Sequence, residues 1–376
     1  MAVTKQLSTP HLSYYRNKKI NPVFIDTNSD KWSNHLCARR NFYENHLKIP
    51  ISWFNGKDIL EFGPNGGENS LILAMYGAKI TLVEPHQMMH ERIRALFTDK
   101  SLVDHLIKID ARTLENYQDK SKYDLVIAEG FIPSLPNKFE AISKLFSLSD
   151  DFVIFSYTER SGCFFEGLKR ALFRRLIEIY DINDGERDQI IELAQRIFLY
   201  NFNKLGSART FDSWVEDILL NPQDLSQQFL SVFDQFIPIF KELDFNYYSG
   251  SPFWDLRYAH KWYKNTSVTS LKEEYRKNIP FFITGKKNEG ITSDCIQMMI
   301  SMTDIFMDYS SGFKDFSEIQ TLPRLSSSEW VYAKEINELL DLLSENKPEE
   351  IINYYIKSNL CDLWGMPNHY VCLKRK

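Results

Sequence analysis

An open α/β sheet with helices on both faces is the architecture this sequence predicts, and three observations carry it. Five apolar, β-branched runs, Asp58 to Phe62, Lys79 to Val83, Leu106 to Ile109, Tyr123 to Ala128 and Phe152 to Tyr157, are separated by helix-length segments. That rhythm belongs to a parallel sheet. A glycine-rich turn, Gly63-Pro64-Asn65-Gly66-Gly67, follows the first run. An acid stands at or beside the carboxyl end of four runs: Glu61, Glu84, Asp110 and Glu129.

Before the first strand, residues 1–50 form a helical cap, with a helix from about Ser33 to His46 that Pro50 ends. This segment either buttresses the sheet or closes over its ligand, and both readings stay open. The helix after the glycine turn is expected from Asn69 to Tyr76. Asn69 or Ser70 would cap its start and Gly77 would end it. Further helices are expected over His90 to Phe97 and Lys138 to Phe146.

After Tyr157 the period changes. Phe164, Phe165, Leu168, Leu172, Leu176 and Tyr180 recur at helical spacing, as do Ile190, Ile191, Ala194, Ile197 and Phe198. Residues 161–244 therefore read as a helical insertion that forms the substrate side. On the first of these helices, Lys169, Arg170, Arg174 and Arg175 read as a solvated face. Strand signals return at Phe245 to Tyr248 and Phe281 to Thr284, expected as an antiparallel edge pair. The core thus comprises 51–160 and 245–288, and 289–376 is a helical extension through which two chains could pair.

Composition narrows the function. The 376 residues carry a formal charge of -5 and are 43% apolar, enough for a sizeable core. The acidic balance disfavours nucleic acid as a partner. No apolar run approaches the ~20 residues of a membrane span, and the start, MAVTKQLSTP, has no signal-peptide core. Five cysteines are scattered without a CxxC pair, which argues against a zinc site. A cytoplasmic protein is the expectation.

Open parallel sheets bind ligands beyond the carboxyl ends of their strands, where the strand order reverses. A dinucleotide turn needs G-x-G-x-x-G, whereas the glycines here fall at 63, 66 and 67. A carboxylate, Glu61, precedes the first glycine by two residues. An anion there opposes a pyrophosphate and suits a ligand with an ammonium and a sulfonium. On Glu61, Gly63 and Gly67 the chain resembles the class I methyltransferases that use S-adenosylmethionine (SAM), whose first motif is E/D-x-G-x-G-x-G. Asn65 stands at the middle glycine, a mild departure because Asn tolerates positive φ.

That resemblance covers roughly Lys57 to Tyr157 and, more weakly, the run from Phe281 to Lys287. It implies a Rossmann-like, seven-stranded, mostly parallel sheet of order 3-2-1-4-5-7-6, with SAM as cofactor. It also implies roles. Glu61 and Gly63, with Pro64, Asn65, Gly67, Asn69 and Ser70 around the turn, would hold the methionine end. Glu84, followed by Pro85, would accept both ribose hydroxyls. Asp110 and the Ala111 amide would meet adenine, and Glu129-Gly130 would face the sulfonium.

The acceptor is less legible. After the fourth strand the chain reads AEGFIPSLP, not the N/D-P-P-Y of nucleobase-amino methylases. Glu129 and Glu159 are too few for an acidic metal cluster, so no metal is expected. Trp214, Phe253, Trp254, Trp262 and Tyr263 could stack on a sugar or a flat metabolite. Strings around Asp212 to Pro222 and Ser249 to Asn265 resemble those of bacterial methyltransferases that act on surface sugars or secondary metabolites. His260 is the first candidate general base, followed by Tyr157 and Glu159. The reading is metal-independent methyl transfer to a small molecule. A protein or RNA acceptor, an inactive scaffold and a dehydrogenase are the alternatives.

Overall fold

The computed structural model describes residues 10–18, 25–205, 209–221, 243–252, 268–286, 291–326 and 330–376. It divides into two compact units, Met1–Tyr157 with Leu230–Leu271 and His369–Lys376, and Thr158–Phe229 with Lys272–Asn368.

The first unit is built on a seven-stranded sheet: β1 Asp58–Phe62, β2 Lys79–Val83, β3 Leu106–Asp110, β4 Tyr123–Ala128, β5 Ser149–Thr158, β6 Phe245–Ser251 and β7 Asn368–Arg375. Its order is β3-β2-β1-β4-β5-β7-β6, the one that the resemblance implies. β1 to β5 pair in parallel, and β6 and β7 are antiparallel to each other. Arg375, at the end of β7, donates to the Ser149 carbonyl at the start of β5 (2.5 Å). β7 therefore runs against the parallel strands. Preceding the sheet are α1 Pro10–Lys18 and α2 Asp30–Asn41; between strands lie α3 Glu68–Met75, α4 Met88–Asp99 and α5 Lys138–Leu148. Ile59, Leu60, Ile80, Leu82, Val126 and Ile127 are fully or nearly fully buried, as expected for strands covered on both faces.

Two expectations fail here. Phe281 to Thr284 is not a strand but part of the helix Ile279–Thr284, and belongs to the second unit. Pro280 stands in its first turn and Gly285 follows its end at φ 68°; these start and stop signals outweigh the β-rich string between them. The last strand is instead the chain's final run, Asn368–Arg375, so 289–376 is not helical throughout. Its alternation was hidden beside the basic tail. The start of α3 also differs. Gly67, at φ 86°, is its N-cap, and neither Asn69 nor Ser70 caps it.

The second unit is helical. After α6 Phe164–Ile179, α7 Arg187–Leu205 and α8 Phe211–Trp214 come α9 Val268–Lys277, α10 Ile279–Thr284, α11 Ser293–Ser310, α12 Phe316–Gln320, α13 Ala333–Ser344 and α14 Pro348–Lys357. One apolar core runs through it, including Phe164, Leu172, Phe198, Trp214, Met299, Phe306, Trp330, Leu339 and Tyr355. Trp214 is thus a core residue, 4% exposed. No helix among the described residues is long and apolar enough to cross a membrane.

The basic run on α6 is no solvated face either, because Lys169 and Arg170 are each 1% exposed. Arg170 donates to the carbonyls of Ile218 (2.5 Å) and Asn221 (2.6 Å), closing helix ends that would otherwise be orphaned. Lys169 donates to the Leu363 carbonyl, and its Nζ lies 4.2 Å from the Trp364 ring centroid. Burial pulls its pKa from 10.5 down to about 7. The folded state then binds fewer protons than the unfolded one between those values, so this group's penalty is complete below about pH 7 and relieved as pH rises. Relative to Lys169→Met, the parent should gain about 1.4 kcal/mol per pH unit between pH 7 and 10. Denaturant melts at several pH values check this, and a constant difference would contradict it.

Candidate functional site

Register brings the strand ends level. Phe62 pairs with Val83 on one side and Ala128 on the other, and Val83 pairs with Asp110. The Glu84 amide continues that ladder to the Asp110 carbonyl (2.8 Å). Glu61, Glu84, Asp110 and Glu129 consequently share one edge. It is the carboxyl edge, and the order reverses between β1 and β4, where open α/β sheets place ligands.

Between β1 and α3 the chain must turn sharply, and three residues take left-handed φ: Gly63 (68°), Asn65 (51°) and Gly67 (86°). Asn65 therefore does what the middle glycine of the motif would do. A Cβ on Gly63 would sit 3.1 Å from the Phe131 ring, so both φ and close approach require glycine there. Glu84, 4% exposed, organises the turn. One carboxylate oxygen accepts the Asn65 amide (2.8 Å) and the other the His86 amide (2.7 Å). Pro64 accepts the Gly67 amide at 3.0 Å.

Glu61, 3% exposed, accepts from the Ser70 hydroxyl on α3 at 2.6 Å. Burial raises its pKa to about 7, and the negative charge of Glu129 adds to the shift. A buried carboxylate beside a second anion favours a cation. Asp110 behaves oppositely. Hydrogen bonds from the Arg112 side chain hold it far below the usual carboxylate range, with Arg112 Nε at 2.8 Å and Nη2 at 2.5 Å. Lys108 adds an ion pair at 3.0 Å.

Glu129 is not alone at the end of β4. Arg39 of α2 grips it through two bonds, Nη1 to Oε2 at 3.0 Å and Nη2 to Oε1 at 2.6 Å. Arg39 Nη2 also donates to the Tyr43 hydroxyl at 2.6 Å, and the guanidinium lies 4.7 Å from the Phe42 ring centroid. Tyr370 of β7 packs edge-on against the same Phe42, with ring centroids 4.7 Å apart. A second tie joins α2 to α3, where His35 Nε2 meets Asn69 Oδ1 at 3.0 Å. α2 is thus anchored on the carboxyl edge of the sheet. Gly130, at φ 82°, donates its amide to Ser156 Oγ at 2.6 Å.

Of the three proton-transfer candidates, His260 lies outside the described residues, as do Phe253, Trp254, Trp262 and Tyr263. Tyr157 is buried near the end of β5, with its hydroxyl 3.3 Å from His369 Nδ1. Glu159, in the second unit, accepts from the Ser161 hydroxyl (2.9 Å) and from Tyr275, and burial raises its pKa. Sequence reasoning missed His35, Tyr43, His369 and Tyr370, and assigned Arg39 no partner. Arg39 and Glu129 lie 90 residues apart, and no local spacing marks such a pair.

No family model matches the chain, and no curated protein does. Among solved structures it is similar to the magnesium protoporphyrin IX methyltransferase of Synechocystis PCC 6803 with bound SAM. That likeness has a TM-score of 0.29 and 18% identity, over 39% of this chain and 70% of the other. It is similar to PKMT2 from Rickettsia typhi in complex with AdoHcy, at TM-score 0.42 and 17% identity over 60% and 47%. The CcbJ methyltransferase of Streptomyces caelestis follows at 0.26 and 15%, over 28% and 45%. The chain spans less than half the length of the latter two.

Proposed function

We propose that this chain is a SAM-dependent methyltransferase that methylates a small-molecule acceptor by direct displacement, without a metal. The observation that supports it most is Glu84, a buried carboxylate whose two oxygens bridge the glycine turn and the turn after β2. It shares one edge with the carboxylates of Glu61, Asp110 and Glu129. Carboxylates at these strand ends suit hydroxyl and amino donors better than a pyrophosphate.

SAM, when bound, supplies an electrophilic methyl group on a sulfonium. In this reading Glu84 accepts from the ribose hydroxyls, and Asp110 with the Ala111 amide meets adenine. Glu61 and Gly63, with the turn from Pro64 to Ser70, hold the methionine end, and Pro85 shapes the ribose side. Gly130 stands beside the reacting centre with Glu129, which is neutralised by Arg39. Tyr157, Glu159 and His260 are the residues proposed to orient or deprotonate the acceptor. Glu129 and Glu159 are committed to Arg39, Tyr275 and Ser161, which supports the metal-independent reading.

Calorimetric titration tests the cofactor: SAM and S-adenosylhomocysteine should bind and NADH should not, and the reverse pattern would overturn the reading. Incubating labelled SAM with a metabolite extract and with cell protein tests the acceptor. Label confined to protein would refute the small-molecule assignment.

A further inference from the structure

In the second unit, α6 carries Glu166 in its first turn. Glu166 is only half-buried and solvent reaches it. Glu159, by contrast, is 8% exposed and held by Ser161 and Tyr275. Three basic side chains act on Glu166 through their charge: Arg170, Lys169 and Arg209. None of them bonds to it. Arg170, one turn along the same face of α6, donates to Ser310 Oγ (3.2 Å) and to the carbonyls of Ile218 and Asn221. Lys169 donates to the Leu363 carbonyl, and Arg209 pairs with Asp217. Among the described residues, no hydrogen bond or ion pair engages the Glu166 carboxylate.

A half-buried carboxylate beside two guanidiniums would gain by pairing with one of them. Here both are fastened elsewhere, which keeps one acceptor open. Asp217 and Ile218 belong to a π-helical turn, Val215–Leu219, a geometry frequent at functional sites. Burial is the largest influence on Glu166 and raises its pKa, the direction that makes a carboxylate a better base. The charges of Glu166 and Asp217 balance those of Arg170 and Arg209, so the surroundings favour a neutral partner over a strongly charged one.

We propose that Glu166 is the general base of the methyl transfer, and that the acceptor is a neutral molecule bearing a hydroxyl group. This rests on the function proposed above. The acceptor's O–H bond breaks as its proton passes to a Glu166 oxygen. The electron pair left on the acceptor oxygen forms the bond to the methyl carbon, while the methyl–sulfur bond breaks and its pair stays on sulfur. In this assignment Tyr157, Glu159 and His260 orient the acceptor.

The test is transfer of labelled methyl from saturating SAM into a metabolite extract by the full chain, with calorimetry of S-adenosylhomocysteine alongside. Glu166→Gln should lose about 100-fold or more in rate and less than about 2-fold in affinity for S-adenosylhomocysteine. Glu166→Asp should keep part of the rate. The parent rate should rise with pH on the acid side of neutrality and then level off, and the label should sit in an ether that survives mild alkali. A Glu166→Gln rate within about 3-fold of the parent would overturn the proposal, as would label on nitrogen or label released by alkali as methanol. A parent rate that is flat from about pH 5 to 8 would overturn it even if Glu166→Gln fails to fold. A parent that binds no adenosyl ligand, or that labels no metabolite, would instead overturn the function proposed above.

Discussion

Glu84→Ala is expected to abolish measurable SAM binding while the sheet stays folded. Two effects combine. The proposed bonds to the ribose hydroxyls are lost, at about 1.5–3 kcal/mol each for bonds to a charged group. The Asn65 and His86 amides also lose their acceptor, so the turn that must meet the ligand relaxes. Together these exceed about 3 kcal/mol, more than 100-fold in affinity. Calorimetry should show no heat at ligand concentrations that saturate the parent, with circular dichroism unchanged. Glu84→Gln keeps one carbonyl acceptor and should retain weak binding. Unaltered affinity in Glu84→Ala would remove the ribose from this edge.

Affinity for SAM should rise as pH rises to about 7 and then level off. The cause is Glu61, whose pKa burial and Glu129 raise to about 7 in the folded protein. Its neutral form is favoured there, so its contribution to stability is complete below the ordinary carboxylate value and lost as pH climbs through the folded one. A cationic ligand reverses that preference, because it needs the ionised form. Binding below pH 7 must then release a proton, and affinity changes by up to about 10-fold per pH unit. Titrations in buffers of different ionisation enthalpy count the proton directly. Glu61→Gln, which can still receive the Ser70 hydroxyl, should bind more weakly and with a flat profile. A parent profile that is flat from pH 5.5 to 8 would separate Glu61 from the ligand.

The parallel half of the sheet was readable because its signals are local. Runs such as ILEF and ITLV bury both faces, and an acid or a glycine marks where each ends. Asn65 could be read as a glycine substitute because positive φ is a property of the residue itself, and the turn does place it at 51°. The late strands were harder. Phe281 to Thr284 has strand-like composition, but a proline and a glycine at its borders make it helical. The true last strand, Asn368–Arg375, gains its character from pairing with β6 more than 100 residues earlier.

Lys169 and Arg170 show the same limit on a helix. Spacing places them opposite the apolar stripe of α6, where water is the default. Only the surrounding chain, with the carbonyls of Leu363, Ile218 and Asn221 and the Trp364 ring, makes that face an interior one.

For the site the division is similar. The amino-acid order alone determined the strand–turn–helix from Lys57 onward, the acids at four strand ends and the glycine spacing that disfavours a dinucleotide turn. Those features follow from backbone conformation and short-range chemistry, which neighbouring residues specify. Tertiary structure alone decided that Glu84 ties the turn together, that burial and Glu129 push the Glu61 carboxyl up to about 7, and that Arg39 faces Glu129. Each depends on burial or on a partner brought from a distant part of the chain, and neither leaves a periodic trace in sequence.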